Sequence, residues 1–187
     1  MHADPDSAAE CPAAILGMQV HILCENAGYE AVLEAEGGKM TMKEKPCVSM
    51  IMPVYNAEAY LEESIRSVME QSYAEWELLL VDDSSTDHSL QICQAMAGKD
   101  ARIRVIALEE NVGAGYARNE GIRQVAGKYL TFVDADDAVD PTILENAVTL
   151  AEHHDLDWVV WGMKEEYYDA KGMKQHERMV LLEDRCY

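Results

Sequence analysis

The chain has 187 residues, enough for one domain with a proper core but not for two full domains. Lys and Arg total 15 against 35 Asp and Glu, a formal charge of -20, which excludes a nucleic-acid footprint and leaves any anionic ligand dependent on a cation or on backbone donors. The five cysteines (Cys11, Cys24, Cys47, Cys93, Cys186) are odd in number and form no Cys-x-x-Cys pair, so a disulfide framework and a zinc site are both disfavoured.

Taken in order, residues 1–46 read as an acidic N-terminal extension and linker. Seven acids fall before Gly38, and "EGGKMTMKEKP" has linker composition. Within the extension, "CPAAILGMQVHILC" is too short to span a bilayer, which takes about 20 apolar residues. It is not a secretion signal either, because no Lys or Arg precedes Lys39. It is expected to be an extra strand or helix packed on the domain, or a loosely ordered extension. With no transmembrane segment and no disulfide pattern, the expected setting is cytoplasmic, or peripheral at the inner face of a membrane.

Residues 47–163 alternate strand and helix signals. "CVSMIM" is an apolar run, "AEAYLEESIRSVMEQ" spaces Leu61, Ile65, Val68 and Met69 as a helix does, and "WELLLV" is a second apolar run. The helical "HSLQICQAMAGK", the strand "RIRVIAL", the helical "GYARNEGIRQVAG" and the strand "YLTFV" follow. Asp140 as N-cap and Pro141 at the first helical position predict the start of a helix over "DPTILENAVTLAEHH". A fifth strand is expected at "DWVVWG". Residues 164–187 then show two alternating stretches around "DAKG", a hairpin expected to begin an acceptor-side region. The alternation implies an α/β fold with a mostly parallel sheet covered by helices on both faces. In such sheets ligands sit at the carboxyl ends of the strands.

The loops that follow the strands are "PVYN", "DDSSTD", "EENVGAG" and "DADDAVD", rich in acids, Asn, small hydroxyls and glycines. Asp134 and Asp136 are two apart, so strand geometry points their carboxylates to one side and Asp137 to the other. Two acids on one side of a cleft suit magnesium or manganese, which complete their coordination with water and phosphate oxygens. Asp140 is better explained as a helix cap. Adjacent Asp82 and Asp83 cannot both face one ligand, so one is expected to bond the loop's own N–H groups. "GAG" lacks the third glycine of G-x-G-x-x-G, and the first strand-to-helix turn, "PVYN", has none, which disfavours a dinucleotide-dependent oxidoreductase. Among the aromatics, Trp158, Trp161, Tyr167 and Tyr168 are of a kind that stacks on sugars, with core packing the expected fate of Trp158.

The ordered motifs "VSMIMPVYNAEAYLEESIRSVMEQSYAEWELLLVDDSSTD", "NVGAGYARNEGI" and "GKYLTFVDADD" resemble the nucleotide-binding half of family 2 glycosyltransferases with the GT-A fold, over about Val48 to Gly162. The resemblance implies transfer of a sugar, with inversion, from a nucleotide diphosphate donor (a UDP-sugar) to a hydroxyl of a glycan, lipid-linked or other acceptor, assisted by magnesium or manganese. Pro53, Tyr55 and Asn56 stand where the family surrounds base and ribose, and Asp83 where it contacts uracil. Gly113 and Arg118 lie in its "G-x-x-x-x-R-N" segment lining the donor pocket. Asp134 and Asp136 form its D-x-D motif, Asp136 being the direct metal ligand. The family's general base comes after further elements, so it is expected beyond Tyr187, with Glu183 and Asp184 as lesser candidates. This implies a truncated domain that binds donor but transfers poorly. Two alternatives stand beside it. One is a fragment that binds nucleotide sugar without transfer. The other is a phosphoacceptor receiver domain, which would need its acid pair after the first strand, whereas Val48 to Gln71 precede "VDDSS" here. Donor sugar, acceptor and oligomeric state are not written in the sequence.

Overall fold

The runs "VSMIMPV" and "WELLLVD" bury every residue, as befits strands covered on both faces. A computed structural model describes residues 23–24, 48–168 and 173–180. Its elements are β1 (Leu23–Cys24), β2 (Val48–Val54), α1 (Leu61–Met69), β3 (Trp76–Asp82), α2 (Ser89–Ala97), β4 (Ile103–Ala107), α3 (Ala114–Ile122), β5 (Tyr129–Phe132), α4 (Ile143–His154), β6 (Met163–Tyr168) and β7 (Lys174–Val180). The main sheet has the order β1-β5-β2-β3-β4. Strands β5, β2, β3 and β4 are parallel, and β1 joins antiparallel through Leu23↔Leu130 and Cys24↔Tyr129.

The strands alternate their side chains between two cores. Met50, Met52, Leu78 and Leu80 pack on one face with residues such as Ile65, Cys93 and Leu144 from α1, α2 and α4. Ile51, Leu79 and Val81 pack on the other with Ala117 of α3. The buried residues of α3 are the small Ala117 and Gly121, so this helix lies close to the sheet. A Cβ on Gly121 would come within 2.6 Å of the Ile51 side chain. Beside it, Ser49 Oγ donates to the buried Glu77 carboxylate at 2.6 Å, and that carboxylate accepts the Ala126 N–H at 2.7 Å.

From β2 the chain moves outward to β3 and β4, then returns to place β5 on the other side of β2. The order therefore reverses between β2 and β5, the point at which open α/β sheets form a ligand crevice.

Three expectations are corrected. Helix α4 starts at Ile143 with Thr142 as N-cap, not at Asp140 and Pro141. The Asp140 carbonyl accepts from Gln71 Nε2 at 2.7 Å and the Pro141 carbonyl from the Ser72 N–H at 2.8 Å, which docks both residues on the end of α1 as a turn. The Asp140 carboxylate instead accepts the Thr142 N–H at 2.9 Å. Residues 157–162 form no strand: Val159 is buried and Trp161 packs against the core, while Val160 is exposed. Trp158, expected in the core, is 58% exposed. The expected hairpin is present as β6 and β7, paired with each other in a separate sheet. No helix among the described residues is long and apolar enough to cross a membrane.

Candidate functional site

A cavity of about 430 Å³ opens at the crevice between β2 and β5. Pro53, Tyr55, Asn56, Ala57 and Tyr60 line it from the end of β2 to the start of α1, Ala114 and Arg118 from α3, and Asp134, Ala135 and Asp136 from the loop after β5.

Side chain to backbone bonds hold these loops in place. Asn56 adopts a left-handed backbone, φ 49, which Asn tolerates better than most residues. Its Oδ1 accepts from the Thr86 N–H at 2.8 Å and Thr86 Oγ1 at 3.2 Å, and its own N–H donates to Ser85 Oγ at 3.1 Å. The loop after β2 is thereby fastened to the loop after β3. Asp83 fastens that loop to the next, because its two carboxylate oxygens accept the Val112 N–H at 2.8 Å and the Gly113 N–H at 2.7 Å. Gly113 has φ 88, a conformation that favours glycine, and its carbonyl starts α3 by accepting from Tyr116 and Ala117. Asp82 is 1% exposed and Asp83 2%. Asp82 Oδ2 accepts the Ser85 N–H at 3.2 Å. Both acids are therefore buried, Asp82 at the end of β3 and Asp83 in the loop after it, and neither they nor Gly113 line the cavity.

The acidic loop is held from below by α1: Ser64 Oγ donates to the Ala135 carbonyl at 2.8 Å, and the Val139 N–H donates to Ser67 Oγ at 3.0 Å. Strand β5 ends at Phe132, before the motif, yet the expected division persists. Asp134 and Asp136 line the cavity, whereas Asp137 is 7% exposed. Arg118 Nη2 donates to Asp134 Oδ1 at 2.5 Å. Of the residues singled out in the sequence, Pro53, Tyr55, Asn56, Arg118, Asp134 and Asp136 line this one cavity, whereas the Arg118 to Asp134 pair, the lining by Tyr60 and the loop contacts of Ser64 and Ser67 carried no sequence expectation. The serines fall at i, i+3 on a predicted helix, a spacing that marks one face. No group of three or more His, Cys, Asp or Glu forms a metal cage among the described residues. Glu183 and Asp184 lie outside the described residues. Of the aromatics considered for sugar stacking, Tyr167 is stacked on His176 at 3.9 Å and Trp161 is packed against the core.

The sequence profile of Glycosyl transferase family 2 matches residues 49–187. The chain belongs to this family. Family 2 relatives include the putative teichuronic acid biosynthesis glycosyltransferase TuaG of Bacillus subtilis, 47% identical over 50% of this chain and 37% of TuaG. Another is the glycosyltransferase GlyG of Streptococcus pneumoniae, 38% identical over 67% of this chain and 41% of GlyG. The chain thus spans about 40% of the length of these curated relatives. Two solved structures share the fold. S. aureus TarS in complex with UDP-GlcNAc matches with TM-score 0.55 and 36% identity, over 58% of this chain and 32% of that one. The mannosyltransferase PcManGT from Pyrobaculum calidifontis, in complex with GDP-Man and Mn2+, matches with TM-score 0.53 and 27% identity, over 58% and 33%. Both are GT-A-type glycosyltransferases, and family 2 membership replaces the receiver-domain alternative.

Proposed function

We propose that the cavity binds the nucleotide diphosphate sugar, a UDP-sugar, of an inverting transfer to an acceptor hydroxyl on a glycan or lipid-linked carrier. The observation that carries the reading is the convergence of Pro53, Tyr55, Asn56, Arg118, Asp134 and Asp136 on one cavity at the point where the sheet order reverses. The UDP-GlcNAc complex of TarS supports the choice of donor class.

In this reading Tyr55 offers an aromatic face beside the base and Asn56 keeps the base-side loop in its left-handed turn. Arg118 supplies the cavity's positive side chain for the diphosphate, as guanidinium groups suit phosphate geometry. Asp134 and Asp136 fit a hard divalent cation that takes its other ligands from water and phosphate, and they do not need a third protein ligand to do so. Bound there, magnesium or manganese would neutralise the charge that develops on the leaving diphosphate. Asp83 keeps the loop before α3 in place, which positions Ala114 and Arg118. A general base is required on the acceptor side. Glu183 and Asp184 are this chain's candidates, to be compared as Glu183→Gln and Asp184→Asn in a transfer assay with radiolabelled donor.

The deciding experiment is a thermal-shift screen of nucleotide sugars with and without manganese. Saturation at about 100 times Kd stabilises by roughly 2.7 kcal/mol, a shift of several degrees. A uridine nucleotide is expected to give it, and Asp136→Ala to remove the metal-dependent part. Unchanged metal dependence in that variant would overturn the assignment of the acids.

A further inference from the structure

The cavity is lined by one basic side chain, Arg118, and two acidic ones, Asp134 and Asp136. These three are not equivalent. Arg118 donates to Asp134 at 2.5 Å, whereas Asp136 has no hydrogen bond or ion pair with any described residue. The Arg118 and Asp134 side chains are 33% and 51% exposed, so the pair sits at the wet rim, where partners exchange readily. A guanidinium on Asp134 competes with a cation twice, by occupying the carboxylate oxygen and by repelling a like charge. The diphosphate of a donor offers the same guanidinium oxygens of higher charge.

Resting on the donor-site reading above, we propose that Arg118 is a partner-switching residue that couples cation binding to nucleotide binding. Before the donor arrives it holds Asp134, leaving Asp136 as the open ligand. It then turns to the donor's diphosphate and releases Asp134 to complete the cation site. Cation and nucleotide consequently assist each other, and by linkage each raises the other's affinity by the same factor. The switch also protects a cleft in a chain of net charge -20 from holding stray cations without substrate.

Manganese binding followed by electron paramagnetic resonance, alone and with UDP, tests this on the full chain. Arg118→Gln is expected to bind manganese alone about fivefold more tightly than the unaltered protein and UDP alone more weakly, with the coupling factor reduced in proportion. Arg118→Lys, which keeps the charge but not the fork, should fall between. Asp134→Asn should raise the affinity for UDP without metal, because it frees Arg118. Arg123→Gln is the control. Arg123 sits at the end of α3, pairs with Glu120 at 2.6 Å and does not line the cavity, so its loss removes the same charge and should change neither affinity. Equal manganese affinity in the unaltered protein and Arg118→Gln overturns the proposal, as does an equal gain in Arg123→Gln, which would reduce the effect to bulk charge. If the unaltered protein binds both manganese and UDP, either result removes only the coupling role. Failure to bind either ligand overturns the donor-site reading itself.

Discussion

Ser84 and Asn56 adopt nearly the same left-handed backbone, with φ 59 and φ 49, yet removing their side chains should have opposite effects. Left-handed backbone costs a residue with a Cβ about 1 kcal/mol or more. Ser84 lies between the buried Asp83 and the Ser85 N–H that bonds Asp82. Glycine fits that geometry, so Ser84→Gly should stabilise by about 0.5 kcal/mol after its extra unfolded-state entropy is subtracted. Asn56→Gly relieves the same strain but discards the bonds to Thr86, and should destabilise by about 1 kcal/mol. Urea midpoints at constant slope distinguish the two signs. Cys93 gives a second residue-level expectation. Burial, reinforced by the nearby Asp82 charge, pushes its thiol up to about 12. It stays protonated at pH 8 and should resist thiol reagents in the native protein, reacting only once denaturant unfolds the chain, as mass spectrometry of labelled peptides would read.

Helix α3 illustrates how an element with little amphipathic signal is held. Its buried side is small, and closeness to the sheet rather than a wide apolar stripe places Arg118 over the cavity. Gly121→Ala would drive a Cβ to 2.6 Å from Ile51 Cγ2, and Gly127→Ala would drive one to 2.6 Å from the Ser49 backbone nitrogen. A side chain can yield somewhat, whereas a backbone atom in the ladder cannot. Overpacking typically costs about 1–3 kcal/mol, so Gly121→Ala belongs near the lower end and Gly127→Ala at or above the upper. Denaturant melts of both variants check the order. At the other side of β5, the Glu152 carboxylate of α4 accepts from Lys128 and from Tyr129, each at 2.7 Å. The Lys128 bond first, then that of Tyr129, holds its carboxyl below the ordinary 4.5. A depressed carboxyl contributes stability above its unfolded value and loses that contribution as pH falls through the folded one. The melting temperature of Glu152→Gln should therefore lie below that of the unaltered protein at pH 7 and approach it toward pH 3. A gap that widens on acidification would contradict the sign.

For the whole molecule, strand β1 and the donor cavity meet the same strand, β5, from different directions. Strand β1 covers the outer edge of β5 at Leu130 and Tyr129, while the acidic motif begins at Asp134, past the strand's end. Deleting residues 1–39 should leave uridine nucleotide affinity within about threefold. It should also increase self-association, because an uncovered strand edge is a template for pairing. Sedimentation and calorimetry on the shortened chain measure the two separately, and a large affinity loss would show that the extension acts on the cleft.

Much of this was legible in the linear order of residues. Apolar runs such as "WELLLV" and helical spacing such as Leu61, Ile65 and Val68 are local periodicities, and they carry the α/β class, the parallel sheet and the edge on which the loops gather. The D-x-D spacing carried the side division of Asp134 and Asp136 even though the strand ends at Phe132. Other features depended on contacts that no local pattern encodes. The delayed start of α4 follows from a partner about 70 residues away: the Leu144 N–H, which would donate to the Asp140 carbonyl in a helix begun there, donates to Gln71 Oε1 at 3.2 Å. The exposure of Trp158 follows from the neighbouring Val159 and Trp161 taking the core positions. Asp83 became a buried staple because the N–H groups of Val112 and Gly113 arrive opposite it. Arg118 meets Asp134 because a helix with small buried residues lies close to the sheet. Periodicity is a property of neighbours along the chain, whereas the partner of a polar group is set by which distant segment packing brings within 3 Å.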